Sequence, residues 1–365
     1  MLCKSATCLH AVRVLHCFTV MPLLLNQTDS RAREQRQLMV VVQVDAAGTA
    51  ALKSDAHRSE LWIREISRLR QTFVEIGATS IWIDRIRNGT STPSAQCDPE
   101  LLWGSRQIVQ SMNMGVRRPD LHFAISPKSF FQVNTRAAEQ LFSVIRKCAL
   151  STDGTPGAKT KPSQSIALLD VCCGSGTIGL SVASSKHCVG VIGVDSCKEA
   201  VEDARKNATL NGLESKTRFV AGLAEACIDD LQNEMNSLLR ALETHHELPV
   251  RVVAVIDPPR TGLAPSVCAA LRANPLIARV IVVSCNPTGR RLRQDFVVHG
   301  GSFLENALIL TGPLTTTTEY RLKRAPSANA ASGCPFVPTF AVPVDMFPMT
   351  PHCELVMVFN RTVEV

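Results

Sequence analysis

The chain has 365 residues, 45% of them hydrophobic and 19% charged, with 39 basic against 32 acidic side chains and a net charge of +7. That length accommodates one large or two ordinary domains, and the composition excludes extensive disorder. The pI near 8.8 suits a polyanionic partner without demanding one, because the charge is scattered.

The 14 cysteines form neither a disulfide framework nor a zinc pattern. No CxxC pair occurs, Cys3, Cys8 and Cys17 are irregularly spaced, and adjacent Cys172 and Cys173 would make a strained bridge. A reducing compartment and no metal are therefore expected, and no oligomeric state is implied. Residues 1–28 carry Lys4 and Arg13, no acidic residue, and two apolar runs, one of them interrupted by Pro22. They read as a targeting segment or as a truncated or mis-started one. Neither run is long enough to span a bilayer, so no membrane partner is expected. The expected location is intracellular, cytoplasmic or nuclear, or mitochondrial if residues 1–28 are a transit segment.

Leu38–Asp45 is β-branched and ends in Ala46-Ala47-Gly48, which predicts a strand and turn. A helical period follows through Leu61, Ile63, Ile66, Leu69, Phe73 and Ile76, with Gly77 as the stop. Ser80–Asp84 reads as a short strand before a polar turn from Asn88 to Pro93. Residues 29–125 thus form a smaller α+β domain. After a strand near Leu121, Ser129-Phe130-Phe131-Gln132-Val133-Asn134 leads into a helix starting near Thr135. Residues 151–165, rich in Ser, Thr, Gly, Pro and Lys, read as a linker or surface insertion. Strands are then expected at Ile166–Val171, Val189–Val194, Thr217–Val220, Val250–Ile256, Val280–Val283 and Leu355–Phe359. Their alternation with helices predicts an α/β domain, 126–365, with a doubly wound, mostly parallel sheet.

Four stretches carry chemistry. Asp170-Val171-Cys172-Cys173-Gly174-Ser175-Gly176 runs from a buried strand into a glycine loop and a helix, so that backbone can approach a ligand. Asp195, ending the next strand, can accept both ribose hydroxyls of an adenosine. With Gly179 as a third glycine, NAD and S-adenosylmethionine (SAM) both fit. Asp257-Pro258-Pro259-Arg260 ends another strand in a loop stiffened by two prolines, suited to a flat polar substrate or simply a rigid turn. Ser284-Cys285-Asn286-Pro287 places a thiol at a strand's carboxyl end, where open α/β sheets hold substrates; an inert buried cysteine is the competing reading. Glu354 precedes a late apolar strand, where burial would raise its pKa and make it a proton acceptor; a solvent-facing strand end is the alternative.

Taken in order, Ser129–Asn134, Asp170–Gly176, Asp257–Arg260, Ser284–Pro287 and Phe347-Pro348-Met349-Thr350-Pro351-His352-Cys353-Glu354 resemble the RNA uracil-5-methyltransferase family, especially its eukaryotic tRNA members. The resemblance covers roughly residues 120–360 and implies a Rossmann-like, class I SAM-dependent methyltransferase domain. It implies that Cys285 is the nucleophile for uracil C6, that Glu354 is the base for the C5 proton, and that Asp257 binds the uracil edge. Phe130 would stack on the extruded base, beside substrate contacts from Pro258 and Arg260. Gln132, Asp170, Gly174, Gly176, Asp195, Asn207 and Asp257 would hold SAM. The implied partner is tRNA, with the T-loop uridine U54 as target. Ribosomal RNA, or a tRNA-binding protein without turnover, are the alternatives. The family's N-terminal RNA-binding module is not visible, and Asp195 stands where Glu is usual. Arg290, Arg291, Arg293, Arg321, Lys323 and Arg324 are candidate phosphate contacts or a solvated face.

Overall fold

The computed structural model describes residues 12–20, 37–45, 56–86, 99–114, 120–132, 134–157, 165–243, 250–260, 262–287, 303–311, 333–350 and 352–361. The chain divides into two compact units, Met1–Gln110 with Ala124–Val133, and Ser111–Phe123 with Asn134–Val365. The expected turn from Asn88 to Pro93 and the basic residues at 290–293 and 321–324 lie outside the described residues.

In the first unit, β1 (Val12–Val20), β2 (Gln37–Asp45), β3 (Ser80–Ile86) and β4 (Glu100–Gly104) form a sheet in that order. β1 falls inside the stretch expected to be a targeting or truncated segment; it pairs antiparallel with β2 along Val12–Val20. Helix α1 (Ala56–Glu75) packs on β2 and β3 through Trp62, Ile66, Leu69 and Phe73. That stripe differs from the expected one, because Ile63 and Ile76 are 62% and 64% exposed while Trp62 is buried. Steps of four, three and four residues keep Trp62 to Phe73 on one face, and Ile63 is rotated out of it. The helix ends where Gly77 adopts φ +90°, with Ala78 N–H donating to Phe73 O and Gly77 N–H to Val74 O, a Schellman closure. Strands β5 (Ile108–Met112) and β6 (Leu121–Ile125) pair as a two-stranded sheet.

The second unit opens with α2 (Thr135–Leu150), capped by Asn134, whose side-chain oxygen accepts from Ala137 N–H at 3.2 Å. Next come β7 (Ser165–Val171), α3 (Thr177–Ala183), β8 (Cys188–Asp195), α4 (Lys198–Leu210), β9 (Thr217–Ala221) and α5 (Ala224–Glu243). They are followed by β10 (Val250–Ile256), α6 (Pro265–Ala273), β11 (Ile277–Ser284), α7 (Phe303–Thr311), β12 (Phe336–Val344) and β13 (Glu354–Arg361). The sheet order is β12-β13-β11-β10-β7-β8-β9, parallel from β11 through β9, with β13 antiparallel to β11 and β12 antiparallel to β13. The central strands are buried on both faces, which is why they read as unbroken apolar runs. Helices α5, α6 and α7 pack over one face of that core through Leu231, Val267, Leu271 and Leu310, among others.

Strand β12 was not anticipated. Pro338 and Pro343 interrupt its sequence, and proline lacks the N–H a central strand must donate. As the outermost strand, with mostly exposed side chains, β12 tolerates both. The expected linker also differs from the structure over its first half. Ser151 and Gly154 are buried. Arg279, 2% exposed, donates to the carbonyls of Cys148, Ser151 and Thr152 at 2.6, 2.9 and 3.1 Å, and Arg251 adds bonds to Ser151 and Thr152. This stretch is part of the sheet's packing; residues 158–164 lie outside the described ones. Among the described residues, no helix is long and apolar enough to cross a membrane.

Candidate active site

The sheet's strand order reverses at β7. Its neighbours are β8 on one side and β10 on the other, so the loops leaving β7 and β10 part in opposite directions and leave a crevice at their carboxyl ends. Val171 pairs with Ile256, and Asp257 N–H donates to Val171 O at 3.2 Å, which sets the Asp257 loop beside the glycine loop. Ser284 pairs with Leu355, so Cys285 and Glu354, each one residue further toward the edge, emerge side by side. Two segments 69 residues apart in sequence are thereby joined by antiparallel register alone.

The glycine loop is held by carboxylates. Asp195 accepts from Gly174 N–H at 2.9 Å and Cys197 N–H at 2.8 Å, and Asp170 accepts from Gly179 N–H at 2.8 Å. A Cβ at Gly179 would lie 2.9 Å from the Asp170 carboxylate, so the third glycine serves close packing of α3 on the strands. Gly176 has φ +81°, and a Cβ there would meet Phe219 at 3.0 Å and Ala204 at 3.1 Å. A Cβ at Gly174, by contrast, would stand in open space, leaving that backbone approachable.

Two of the expected cofactor ligands also touch the loop backbone. Asn207 is fully buried and its amide donates to Ser175 O at 3.1 Å. Asp170 is also fully buried; burial, against the opposing Gly179 hydrogen bond, raises it to about 7, and its Oδ1 has no hydrogen-bond partner. Both side chains brace the cradle. Asp195 retains accessible surface at the end of β8 and has lone pairs to spare, as a ribose diol requires. An open glycine backbone, a part-exposed carboxylate at the second strand and a helix N-terminus together fit an adenosine-bearing cofactor.

The chemistry-bearing cluster lies on the other side of the crevice. Pro258, Pro259, Arg260, Ser284, Cys285 and Asn286 line one cleft. Glu354 is 4% exposed, its Oε2 has no hydrogen-bond partner, and burial raises it to about 7, with Arg260 opposing. Burial pushes Asp257 well above the ordinary carboxylate range, reinforced by Glu354, Asp170 and Asp195. Burial likewise raises the Cys285 thiol, helped by Glu354 and opposed by Arg260, which hydrogen-bonds it. Arg260 therefore faces both the thiol and the glutamate. Phe130, 73% exposed, and half-buried Gln132 lie on the Ala124–Val133 segment of the first unit.

Sequence reading missed Asn306 on α7. Its amide accepts from Leu263 N–H at 3.2 Å and donates to Leu263 O at 3.1 Å, pinning the loop that carries Asp257 and Arg260. No local pattern marks it, since its partner is 43 residues earlier.

A doubly wound sheet with an antiparallel β13, a glycine loop after its first strand and an acid ending the second is a class I, Rossmann-like methyltransferase domain. The family described as a methyltransferase domain matches residues 162–248, which hold that cradle. Over most of its length the chain is similar to proteins named tRNA (uracil-5-)-methyltransferase homologs. It is 35% identical over 332 residues to tRNA (uracil-5-)-methyltransferase homolog A of Mus musculus, covering 88% of this chain and 44% of that protein. It is 40% identical over 241 residues to the Homo sapiens homolog A, covering 66% and 30%. With the Homo sapiens homolog B the identity is 33% over 285 residues, covering 78% and 46%. The chain spans less than half the length of these curated relatives.

Proposed function

We propose that the protein methylates C5 of a uridine in tRNA, the T-loop U54, using SAM and a transient bond from Cys285 to uracil C6. The observation that carries this reading is the register that sets Cys285 beside Glu354, with Arg260 facing both. SAM supplies an electrophilic methyl group. Uracil C5 is too weak a nucleophile to take it unaided. Addition of the Cys285 thiolate to C6 forms an S–C bond and moves the C5–C6 electron pair onto C5 and O4, which makes C5 enolate-like. Arg260 stabilises the thiolate. Asp257, its carboxyl pushed above the ordinary range by burial, meets the uracil edge where charge develops. After C5 has gained the methyl group, Glu354 removes the C5 proton, and the released electron pair re-forms the double bond and expels Cys285. A carboxyl raised to about 7 suits that step near neutrality. Asp195 and the Gly174–Gly176 backbone hold the cofactor. Phe130 offers an exposed ring for stacking on the extruded base, and Gln132 an amide for the cofactor.

The test pairs labelled SAM with T-loop tRNA and, separately, with the same RNA bearing 5-fluorouridine, whose fluorine cannot leave as a proton does. Methyl incorporation with the first and a denaturation-resistant adduct with the second, absent in Cys285→Ala, are expected. Neither signal on intact tRNA would leave an RNA-binding protein without turnover as the better reading, and activity confined to ribosomal RNA would change the substrate.

A further inference from the structure

The connection between β12 and β13 crosses the same edge of the sheet as Cys285. Val344 pairs with Glu354 to close it, and Leu355 pairs with Ser284. At its tip Met349 is 103% exposed and adopts φ +69°, a left-handed conformation that Gly and Asn take readily and other residues seldom do. The turn is well tied. Thr350 donates through its N–H and its hydroxyl to Phe347 O at 3.1 and 2.7 Å, and Phe347 N–H donates to Asp345 at 3.1 Å. Buried Met346 anchors its start, with its carbonyl accepting from Asn134. A fixed turn therefore holds an apolar side chain wholly in water, in a conformation its residue type disfavours. Neither choice serves stability, and such conflicts concentrate where a partner is met. The neighbouring Pro348 is exposed as well.

We propose that Pro348-Met349 is an apolar wedge that enters the base stack of the RNA beside the uridine delivered to Cys285, Met349 filling the gap the extruded base leaves. This rests on the proposed uridine chemistry, because a base can reach Cys285 only by leaving its stack. Methionine and proline are among the side chains that proteins insert between base steps. Met349 lies five residues before Glu354, so the wedge and the base that removes the C5 proton belong to one connection between β12 and β13.

The experiment compares wild type, Met349→Gly and Met349→Leu on a T-arm hairpin and on an unstructured RNA with the same target uridine. Glycine relieves the left-handed backbone while removing the side chain, so Met349→Gly melts at the wild-type temperature or above. The ratio of hairpin to linear kcat/KM falls about tenfold in Met349→Gly, the scale of one lost base-stacking contact, and Met349→Leu restores it. In parallel, 2-aminopurine beside the target uridine in the hairpin brightens on binding wild type and not Met349→Gly. An unchanged ratio with full brightening, or a lowered melting temperature with equal loss on both RNAs, overturns the wedge. Wild-type protein that methylates neither RNA refutes the chemistry instead, and the fluorescence, which needs only binding, still decides the wedge.

Discussion

Replacing Glu354 with Gln tests the site through stability before any substrate is added. Burial raises this carboxyl from an ordinary 4.5 to about 7. The folded state therefore holds its proton more tightly than the unfolded chain. Linkage then fixes the sign: Glu354 leaves stability untouched at pH well below 4.5, costs progressively more as pH rises, and costs its full amount above about 7. That full cost is on the order of 3 kcal/mol, and roughly 2.5 kcal/mol of it develops between pH 5 and pH 8. Glu354→Gln cannot ionise, so its stability relative to wild type should improve by about that much over the interval, whatever the constant cost of an amide in that pocket. Urea unfolding of both proteins at pH 5, 6, 7 and 8 measures the difference. Parallel profiles would show that Glu354 is not buried as described and would remove the basis for its role as base. The same titration works in the opposite direction on activity: methyl transfer should rise with pH through about 7, as Glu354 becomes able to take a proton, where folding stability falls.

Three further outcomes are expected. Asp195→Ala should weaken SAM binding by roughly 10- to 100-fold in calorimetry, since charge-assisted hydrogen bonds contribute about 1.5–3 kcal/mol each; unaltered affinity would show that this acid does not meet the cofactor. Gly176→Ala forces a Cβ onto Phe219 and Ala204 in a left-handed backbone, and should cost about 1–3 kcal/mol of stability together with cofactor binding. Arg279→Met leaves the carbonyls of Cys148, Ser151 and Thr152 without their buried donor and should lower unfolding free energy by about 3–5 kcal/mol. A loss under about 1 kcal/mol would mean that water replaces the guanidinium there.

Much of the second unit was legible along the chain because parallel strands buried on both faces are continuous apolar runs, and β7, β8, β10 and β11 fall close to where such runs occur. The first unit was harder. A stripe chosen by hydrophobicity put Ile63 and Ile76 inwards, whereas helix rotation around Trp62 and Phe73 exposes them. In the site, the residue types were readable and their backbone partners were not: Asp170 accepts from Gly179 N–H and Asn207 donates to Ser175 O, contacts that no local pattern announces.

The sequence by itself determined which side chains end which strands, since a thiol before Asn-Pro, an acid before Pro-Pro and an acid before a late apolar run are local facts. Only the tertiary structure decided that Cys285 and Glu354 stand side by side, because that follows from the antiparallel register of β11 with β13. It also decided what β12 and the stretch after α2 are. Proline in a strand is ruled out or tolerated by whether a neighbour needs its N–H, and a polar segment is a linker or a packed element by whether a buried arginine reaches its carbonyls. Those partners lie up to 128 residues away in sequence, beyond anything composition or periodicity encodes.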